Sequence, residues 1–381
     1  MILHGAADHD AFTGALSIPV YPASTYRQAD VDGGQDYYYS RAGNPTRRAL
    51  EETLAVLEGG ECGYAFASGM AAVTAALTAV LKAGDHVVAT KDIYGGSYRL
   101  FTQFLSRFGV SHTFADTSDI AATEDAIRPE TRALFLESPS NPVLKIIDFE
   151  SMAALAKRRG LVSMVDNTFL SPYFFRPLEY GIDLSIHSAS KFLGGHSDLI
   201  AGAVVARDRN LGREVGFVQS TTGSMLSPEN SWLLLRGIKT LGVRMKAQAE
   251  GAMKVAHWLS GRDWVNQVFY PGLSSHPGHD IIARQASGYG AVVSFVTDSK
   301  ERAAAIMKNV RTCTVAVSLG GVESILSYPA KMSHAAIPEP EREKLGINWR
   351  LLRLSVGLED PDDLIDDIDR WVVSEALRVL E

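Results

Sequence analysis

The sequence predicts an α/β protein in which a mostly parallel sheet is wrapped by helices and followed by a smaller α/β domain. Strand-like and helix-like apolar segments alternate between residues 64 and 165, which is the pattern of a parallel sheet with helical crossovers. After Ser227-Pro-Glu-Asn230 the pattern changes to long helices. A chain of 381 residues is also longer than a typical compact domain. We therefore expect an N-terminal arm (residues 1–42), a large domain (43–240) and a small C-terminal domain (241–381).

The arm is predicted because its residues carry no helical repeat. Prolines and glycines interrupt it, and its aromatic run Tyr37–Tyr39 does not recur at helical spacing. A segment rich in aromatic residues and poor in core pattern is typical of an arm that packs on another subunit.

The first helix is predicted at Asn44-Pro45-Thr46, where a capping side chain precedes a proline. Leucines at 50, 54 and 57 follow at helical spacing, and Gly59-Gly60 ends the helix. Apolar runs then predict strands at 64–66, 86–89, 133–136, 161–165 and 183–186, and helices from 69, over 100–108 and over 149–159. In the small domain we expect strands at 292–295 and 351–356 and a helix from Pro361.

Composition excludes several classes of function. A net charge of −7 provides no basic field for nucleic acid or for an anionic membrane. Cys62 and Cys313 are too few for a disulfide framework, and we interpret them as small buried residues in a reducing compartment. The histidines show no metal-ligand spacing. The most apolar run, residues 71–81, is too short to span a bilayer, and no signal peptide is visible, so we expect a cytoplasmic protein.

Lys191 is the first candidate for chemistry, because it follows a buried strand within Ser185-Ile-His-Ser-Ala-Ser-Lys-Phe-Leu-Gly-Gly-His196. A buried lysine is costly while charged, and a Schiff base with an aldehyde cofactor would give its amine a chemical role. Ser188 and Ser190 provide hydroxyls that suit a phosphate. A lone lysine is more often a solvated surface charge.

Asp166 ends the preceding strand and is the second candidate. A carboxylate at a strand end is positioned to pair with a protonated ring nitrogen, which keeps a pyridinium electron-poor. Such an aspartate is more often a helix cap. Asp166 and Lys191 together, in this order, indicate pyridoxal phosphate (PLP).

These segments carry a resemblance to a known family. Val165-Asp-Asn-Thr-Phe169, His187-Ser-Ala-Ser-Lys191-Phe-Leu-Gly-Gly-His-Ser-Asp198 and Tyr39-Ser-Arg-Ala-Gly-Asn-Pro-Thr46 resemble the Cys/Met-metabolism family of PLP enzymes. The resemblance extends from Ile18 to Asp360. It implies the fold type I transferase-like architecture, PLP as the cofactor, an amino acid as the substrate, and a homotetramer built as a dimer of catalytic dimers.

The resemblance also implies roles for individual residues. The phosphate of PLP is expected on Ser68, Gly69 and Met70 with help from Ser188 and Ser190, and on Tyr39 and Arg41 of a second subunit. Tyr94 is expected to stack on the ring and to act as an acid or base near the leaving sulfur, with Thr168 supporting Asp166. The substrate is expected on Asn141, Ser318 and Arg353, with Arg353 binding its α-carboxylate, and on Arg99 and Val317. Taken without the resemblance, Tyr94 is better interpreted as a core tyrosine, and Asn141 as a turn residue before proline with nearly equal weight.

The chain departs from some patterns within the family. Val317 and Tyr38 stand where many cystathionine enzymes carry acidic residues. In having valine at position 317 the chain resembles methionine γ-lyases. Gly96 replaces the cysteine typical of methionine γ-lyases, whereas Arg99 matches the cystathionine enzymes. We therefore expect a carbon–sulfur lyase that cleaves cystathionine by γ-elimination, with side activity on other sulfur amino acids. The alternatives are a cystathionine γ-synthase, a cystathionine β-lyase, a methionine γ-lyase, or a cofactor-binding protein without turnover.

Overall fold

The computed structural model describes residues 2–5 and 9–378, with side chains as far as residue 370. The outer ends of the predicted arm and small domain, at residues 1, 6–8 and 379–381, therefore lie outside the described residues. Within the described range, no helix combines the length and the apolar character needed to cross a membrane.

The first sheet of the described chain has seven strands: β1 (Cys62–Phe66), β2 (His86–Thr90), β3 (Ser111–Ala115), β4 (Thr131–Glu137), β5 (Val162–Asp166), β6 (Leu184–His187) and β7 (Gly202–Ala206). Their spatial order is β1-β7-β6-β5-β4-β2-β3. The pairs among β2 to β6 are parallel, whereas β7 runs antiparallel to both β1 and β6. The mostly parallel sheet predicted from the sequence is thus confirmed.

Helices connect and cover these strands: α1 (Pro45–Glu58), α2 (Gly69–Thr78), α3 (Gly95–Arg99), α4 (Ile120–Asp125), α5 (Phe149–Arg159), α6 (Ser171–Phe174) and α7 (Arg209–Thr222). Apolar side chains from both faces of the sheet are buried against them, among them Phe66, Phe135 and Met164 on one face and Leu134 and Val165 on the other. Alternate residues of β4 and β5 thus enter opposite cores, as the two-residue period of a strand requires.

The helices α8 (Pro228–Ile238) and α9 (Leu241–Ser260) lead to a second sheet of five strands in the described chain: β8 (Val265–Phe269), β9 (Val292–Thr297), β10 (Thr314–Val315), β11 (Ile325–Ser327) and β12 (Leu351–Ser355). It is accompanied by α10 (His279–Gln285), α11 (Lys300–Asn309), α12 (Glu339–Lys344) and α13 (Pro361–Arg378). The change from the first sheet to the second agrees with two α/β units, while the boundary near residue 240 stays a prediction.

Local signals explain where several elements begin and end. The Asn44 side chain accepts hydrogen bonds from the backbone N–H groups of Thr46 and Arg47, and Gly59 ends α1 in the left-handed conformation. The predicted helix over 100–108 is wrong in detail: helical structure already begins at Gly95, continues through a π-helical turn (Leu100–Phe104) and ends as a 3₁₀ turn (Leu105–Phe108). A Cβ at Gly95 would lie 2.2 Å from the backbone oxygen of Ser333, so the helix starts where only glycine fits against the segment around Ser333.

Candidate active site

The candidate site lies beyond the carboxyl ends of β4, β5 and β6, the edge of an open α/β sheet where ligands commonly bind. β4 ends at Glu137, β5 at Asp166 and β6 at His187, and the register places Glu137 beside Asp166. Polar groups at adjacent strand ends are therefore brought together by the strand pairing itself.

Lys191 is partly buried and follows β6 by four residues. Its Nζ donates a hydrogen bond to Ser318 Oγ at 2.5 Å. Burial, and secondly the positive charge of Arg353, lower the pKa of Lys191 from 10.5 to about 8. A larger fraction of this amine is therefore neutral and nucleophilic near neutral pH than for a lysine in water.

Asp166 is held by Thr168. Its Oδ1 accepts hydrogen bonds from the backbone N–H of Thr168 at 3.0 Å and from Thr168 Oγ1 at 2.5 Å, whereas Oδ2 accepts none from the described part of the chain. Thr168 Oγ1 also accepts from the backbone N–H of Ser188 at 2.8 Å, which ties the β5 end to the segment after β6. Burial raises the pKa of Asp166, although Thr168 and then His187 oppose this effect.

The start of α2 faces Ser188. Ser68 caps this helix, because its Oγ accepts from the backbone N–H of Ala71 at 3.1 Å. A Cβ at Gly69 would lie 2.8 Å from Ser188 Oγ, so the glycine permits this close approach. A helix N-terminus and a hydroxyl group therefore converge, which suits a phosphate dianion.

Ser190 differs from Ser188 in its surroundings. Its hydroxyl donates to the backbone oxygen of Ala201 at 3.1 Å and accepts from the backbone N–H of Ala201 at 2.9 Å. Those two bonds hold the loop that carries Lys191, so Ser190 has less hydrogen-bonding capacity left for a ligand than Ser188.

Tyr94 precedes α3 and is 42% exposed, so it is not a core tyrosine. A Cβ at Gly96 would lie 2.4 Å from Tyr94 Cε1 and 3.1 Å from Met70 Sδ. The tyrosine ring thus packs closely against Gly96, and Met70 lies close to the same glycine, while part of the ring is exposed.

Arg353 on β12 is 2% exposed. Its Nη1 donates to Asn141 Oδ1 and its Nη2 donates to the backbone oxygen of Ser318, both at 2.8 Å, while Nε is buried without a hydrogen bond. Among the described residues, no carboxylate lies within 4.0 Å of its guanidinium. Burial lowers the pKa of Arg353 to about 10, with Tyr94 and Glu137 opposing. A buried cation without a paired anion is costly and predicts an anionic ligand.

Ser318 joins Lys191 to Arg353. It has a φ of +100°, which is strained for a residue with a side chain. Its hydroxyl accepts from Lys191 and its backbone oxygen accepts from Arg353, so both contacts hold the strained conformation in place.

Four predicted site residues form no hydrogen bond with Lys191, Asp166, Ser318 or Arg353 in the part of the chain that the structure describes. Arg41 Nη1 donates to the backbone oxygen of Ser220 at 2.9 Å, near the end of α7, and its guanidinium lies 5.5 Å from the ring centre of Tyr39. Arg41 is exposed and Tyr39 is 41% exposed. Arg99 is exposed at the end of α3, and Val317 is 64% exposed beside Ser318.

Two buried residues that bind the backbone of Asn141, Glu137 and His334, were not singled out from the sequence. Glu137 Oε2 accepts from the backbone N–H of Tyr94, and its Oε1 accepts from that of Asn141, each at 3.0 Å. His334 Nε2 is hydrogen-bonded to the backbone oxygen of Asn141 at 2.8 Å, and burial lowers its pKa to about 3. An acid at the end of an apolar strand, the signal used for Asp166, was also present at Glu137.

Comparisons with known proteins agree with this site. The family described as "Cys/Met metabolism PLP-dependent enzyme" matches residues 1–372. Cystathionine gamma-lyase of Bacillus subtilis (strain 168) is 50% identical over 368 residues, 97% of each chain. Cystathionine beta-lyase of Lactococcus lactis subsp. cremoris (strain MG1363) is 45% identical over 367 residues, 96% of each chain. A crystal structure of cystathionine gamma synthase from Xanthomonas oryzae pv. oryzae in complex with cystathionine matches with a TM-score of 0.95 at 40% identity, covering 98% of this chain and 96% of that chain. With the predicted α/β fold and the predicted resemblance both confirmed, the chain belongs to the Cys/Met-metabolism family of PLP-dependent enzymes.

Proposed function

We propose that the protein is a carbon–sulfur lyase that cleaves cystathionine by γ-elimination to cysteine, 2-oxobutanoate and ammonia, with side activity on other sulfur amino acids. The buried guanidinium of Arg353 carries this proposal, because it needs an anion and is joined through Ser318 to the reactive amine of Lys191. An amino acid supplies that anion as its α-carboxylate. The 50% identity to a cystathionine gamma-lyase supports the choice of reaction.

The residues present fit PLP. The N-terminus of α2, with Ser68 and Gly69, and the hydroxyl of Ser188 would hold the phosphate. Asp166 Oδ2, which receives no hydrogen bond from the described residues, would accept one from the protonated ring nitrogen. The exposed face of Tyr94 would stack on the ring, and Lys191 would hold the aldehyde carbon. When bound, PLP supplies an electron-poor ring that accepts the electron pair released at Cα.

The chain's own residues would then position the substrate and move its protons. Arg353 binds the α-carboxylate and so fixes which Cα bond is broken. Lys191, neutral once its amine is free, takes the Cα proton and serves the second proton transfer at Cβ that γ-elimination requires. Tyr94 protonates the departing sulfur. The strained Ser318 keeps the Lys191 amine beside the carboxylate site through its hydroxyl.

Other reactions of the same family are the alternatives. β-Elimination needs only the Cα proton transfer, and the identity to a cystathionine beta-lyase is 45%. A γ-synthase would use an O-acyl homoserine plus cysteine, and the matching synthase structure is 40% identical. The exposed, apolar Val317 beside Ser318 favours a thioether with an uncharged distal end, as in methionine γ-lyases.

A product analysis tests the proposal. Purified protein loaded with PLP is incubated separately with L-cystathionine, with O-acyl homoserine plus cysteine, and with methionine, with Lys191→Ala as the control. Cysteine plus 2-oxobutanoate from cystathionine supports the γ-lyase, whereas homocysteine plus pyruvate replaces it by the β-lyase. If neither pair appears, consumption of O-acyl homoserine with cysteine replaces the γ-lyase by the synthase, and methanethiol from methionine replaces it by a methionine γ-lyase.

The second part of the proposal concerns assembly. Lys191 and Arg353 are committed to the aldehyde and to the carboxylate, so the phosphate dianion requires another cation. Arg41 of a second copy would supply it, with Tyr39 beside it, because both side chains are exposed on their own subunit. The active unit would be a dimer, with two dimers forming a tetramer.

A further inference from the structure

Glu137 lies at the centre of the candidate site and has no role in the reaction proposed above. It ends β4, is 5% exposed, and lies beside Asp166 in the strand register. A buried carboxylate is costly unless hydrogen bonds stabilise it, so the hydrogen bonds that it accepts indicate what it does.

The two oxygens of Glu137 bind two different chain segments. Oε2 accepts from the backbone N–H of Tyr94, 43 residues away in sequence, and Oε1 accepts from the backbone N–H of Asn141, both at 3.0 Å. Tyr94 precedes a helix of five residues and has no side-chain cap of its own. Asn141 lies in the loop after β4, and its side-chain oxygen accepts from Arg353.

We propose that Glu137 is a positioning residue, whose single carboxylate sets the separation between the Tyr94 wall and the Asn141–Arg353 wall of the site. The inference rests on the proposed function in that Tyr94 is taken to contact the cofactor ring and Arg353 the substrate carboxylate. Glu137 touches neither ligand in this role; it acts through the two backbone segments.

Only a carboxylate side chain as long as that of glutamate can accept hydrogen bonds from both backbone N–H groups. Glutamine has the same shape but offers one acceptor oxygen and one N–H₂ donor, so one of the two backbone N–H groups would face a donor. Aspartate keeps both oxygens but is shorter by one methylene group, so it cannot reach both segments. We therefore expect both Glu137→Gln, which keeps the volume, and Glu137→Asp, which keeps both oxygens, to lose one of the two hydrogen bonds.

The electrostatic surroundings are consistent with this role. Burial, followed by the negative charge of Asp166, raises the pKa of Glu137 well above its usual range, and Asp92 acts in the same direction. The two backbone N–H groups oppose this, and Glu137 in turn stabilises the charged form of Arg353. The two hydrogen bonds offset only part of the cost of burying this carboxyl group, and the proposed role rests on their geometry.

The test compares Glu137→Gln with Glu51→Gln. Glu51 is also a largely buried carboxylate: it accepts from the backbone N–H of Ala65 at 2.9 Å and from Gln219 at 3.0 Å, and it pairs with Arg47 at 3.5 Å. None of these partners is Tyr94, Asn141 or Arg353. Two measurements are made on PLP-loaded protein. The first is the affinity for L-alanine relative to ethylamine, which lacks the carboxylate. The second is the visible circular dichroism of bound PLP, which reports on the packing of Tyr94 against the ring.

We expect Glu137→Gln to lower the preference for L-alanine over ethylamine at least about tenfold and to change the dichroism, since one of the two buried backbone N–H groups loses its acceptor. Glu51→Gln should keep both values even if its melting temperature falls. A wild-type value of either measurement in Glu137→Gln, or equal changes in both variants, overturns the proposal. If Glu137→Gln does not fold, Glu137→Asp is measured instead, with the same outcomes.

These measurements separate the two proposals. Ligand preference and dichroism do not depend on which sulfur compound is cleaved, so they test Glu137 even if the product analysis identifies a β-lyase or a synthase. Conversely, a Glu137→Gln variant with wild-type values overturns the positioning role and leaves the reaction assignment unchanged.

Discussion

Replacing Lys191 by methionine should stabilise the PLP-free protein at neutral pH. In the folded chain the pKa of Lys191 is about 8, below its ordinary value of 10.5, so folding disfavours the charged amine. At pH 7 the lysine is charged in both the folded and the unfolded state, and the whole cost of burying the charge is present. Between pH 8 and 10.5 the unfolded chain binds more protons than the folded chain, so the stability of the wild type rises with pH relative to the variant.

The size of the effect follows from the same two values. The difference between 10.5 and about 8 corresponds to roughly 3 kcal/mol at about 1.4 kcal/mol per pH unit. Methionine also removes the hydrogen bond to Ser318 Oγ, which costs about 1 kcal/mol, and Lys191 is not fully buried. We therefore expect a net gain on the order of 1–2 kcal/mol in the free energy of unfolding at pH 7.

Urea unfolding of the PLP-free proteins at pH 7 and pH 10 measures this gain. Lys246→Met is the matched control, because Lys246 is exposed on α9 and its substitution should change stability little at either pH. Most of the gain in Lys191→Met should disappear at pH 10. A Lys191→Met variant that is less stable than the wild type at pH 7, or equally favoured at both pH values, would refute the reasoning.

Three further predictions concern the other site residues. Arg41→Ala should weaken PLP binding at equilibrium. Mixing Arg41→Ala with Lys191→Ala subunits should restore about a quarter of wild-type activity, because half of the randomly formed dimers contain both variants and each of these has one of its two sites intact. No recovery after mixing would contradict a shared site. Asp166→Asn should lower kcat about 10- to 100-fold while PLP stays bound, since an amide stabilises a protonated ring nitrogen less than a carboxylate does; an unchanged kcat would remove its role. Arg353→Lys should raise KM for cystathionine about tenfold because the forked contact is lost, and an unchanged KM would contradict carboxylate binding.

Much of the fold could be predicted because its signals are local. The helix over Phe149–Arg159 was predicted with the bounds that the structure has, since Asp148 caps its start and Gly160 ends it in the left-handed conformation. Strand β3 was missed, because four of its five residues are exposed or only partly buried and its apolar pattern is weak. Strand β7 was missed too, and its place between β6 and β1 depends in part on pairing with a strand about 140 residues earlier in the sequence.

The site was predictable where a side chain carries the chemistry, and not where a side chain holds backbone. Lys191 and Asp166 are distinctive residues at strand ends, and the structure places both at the same sheet edge. Glu137 stands at an equivalent strand end, but the groups it binds are backbone N–H groups, which every sequence position provides. The position of Glu137 at a strand end could have been noticed in the sequence, but its backbone partners, and so its proposed role, are visible only in the structure.

The connection between the two sheets gives substrate recognition a physical basis. Arg353 belongs to the second sheet and Asn141 to a loop of the first, and the unpaired, buried guanidinium raises the free energy of the ligand-free protein. In the role that we propose for Arg353, a ligand with an α-carboxylate would remove this cost, whereas an amine without a carboxylate would not. Discrimination should therefore arise from the site left unsatisfied by the wrong ligand more than from extra contacts to the correct one. The same argument requires that the Asn141 loop be fixed before the ligand arrives, and the side chains of Glu137 and His334 both hold its backbone.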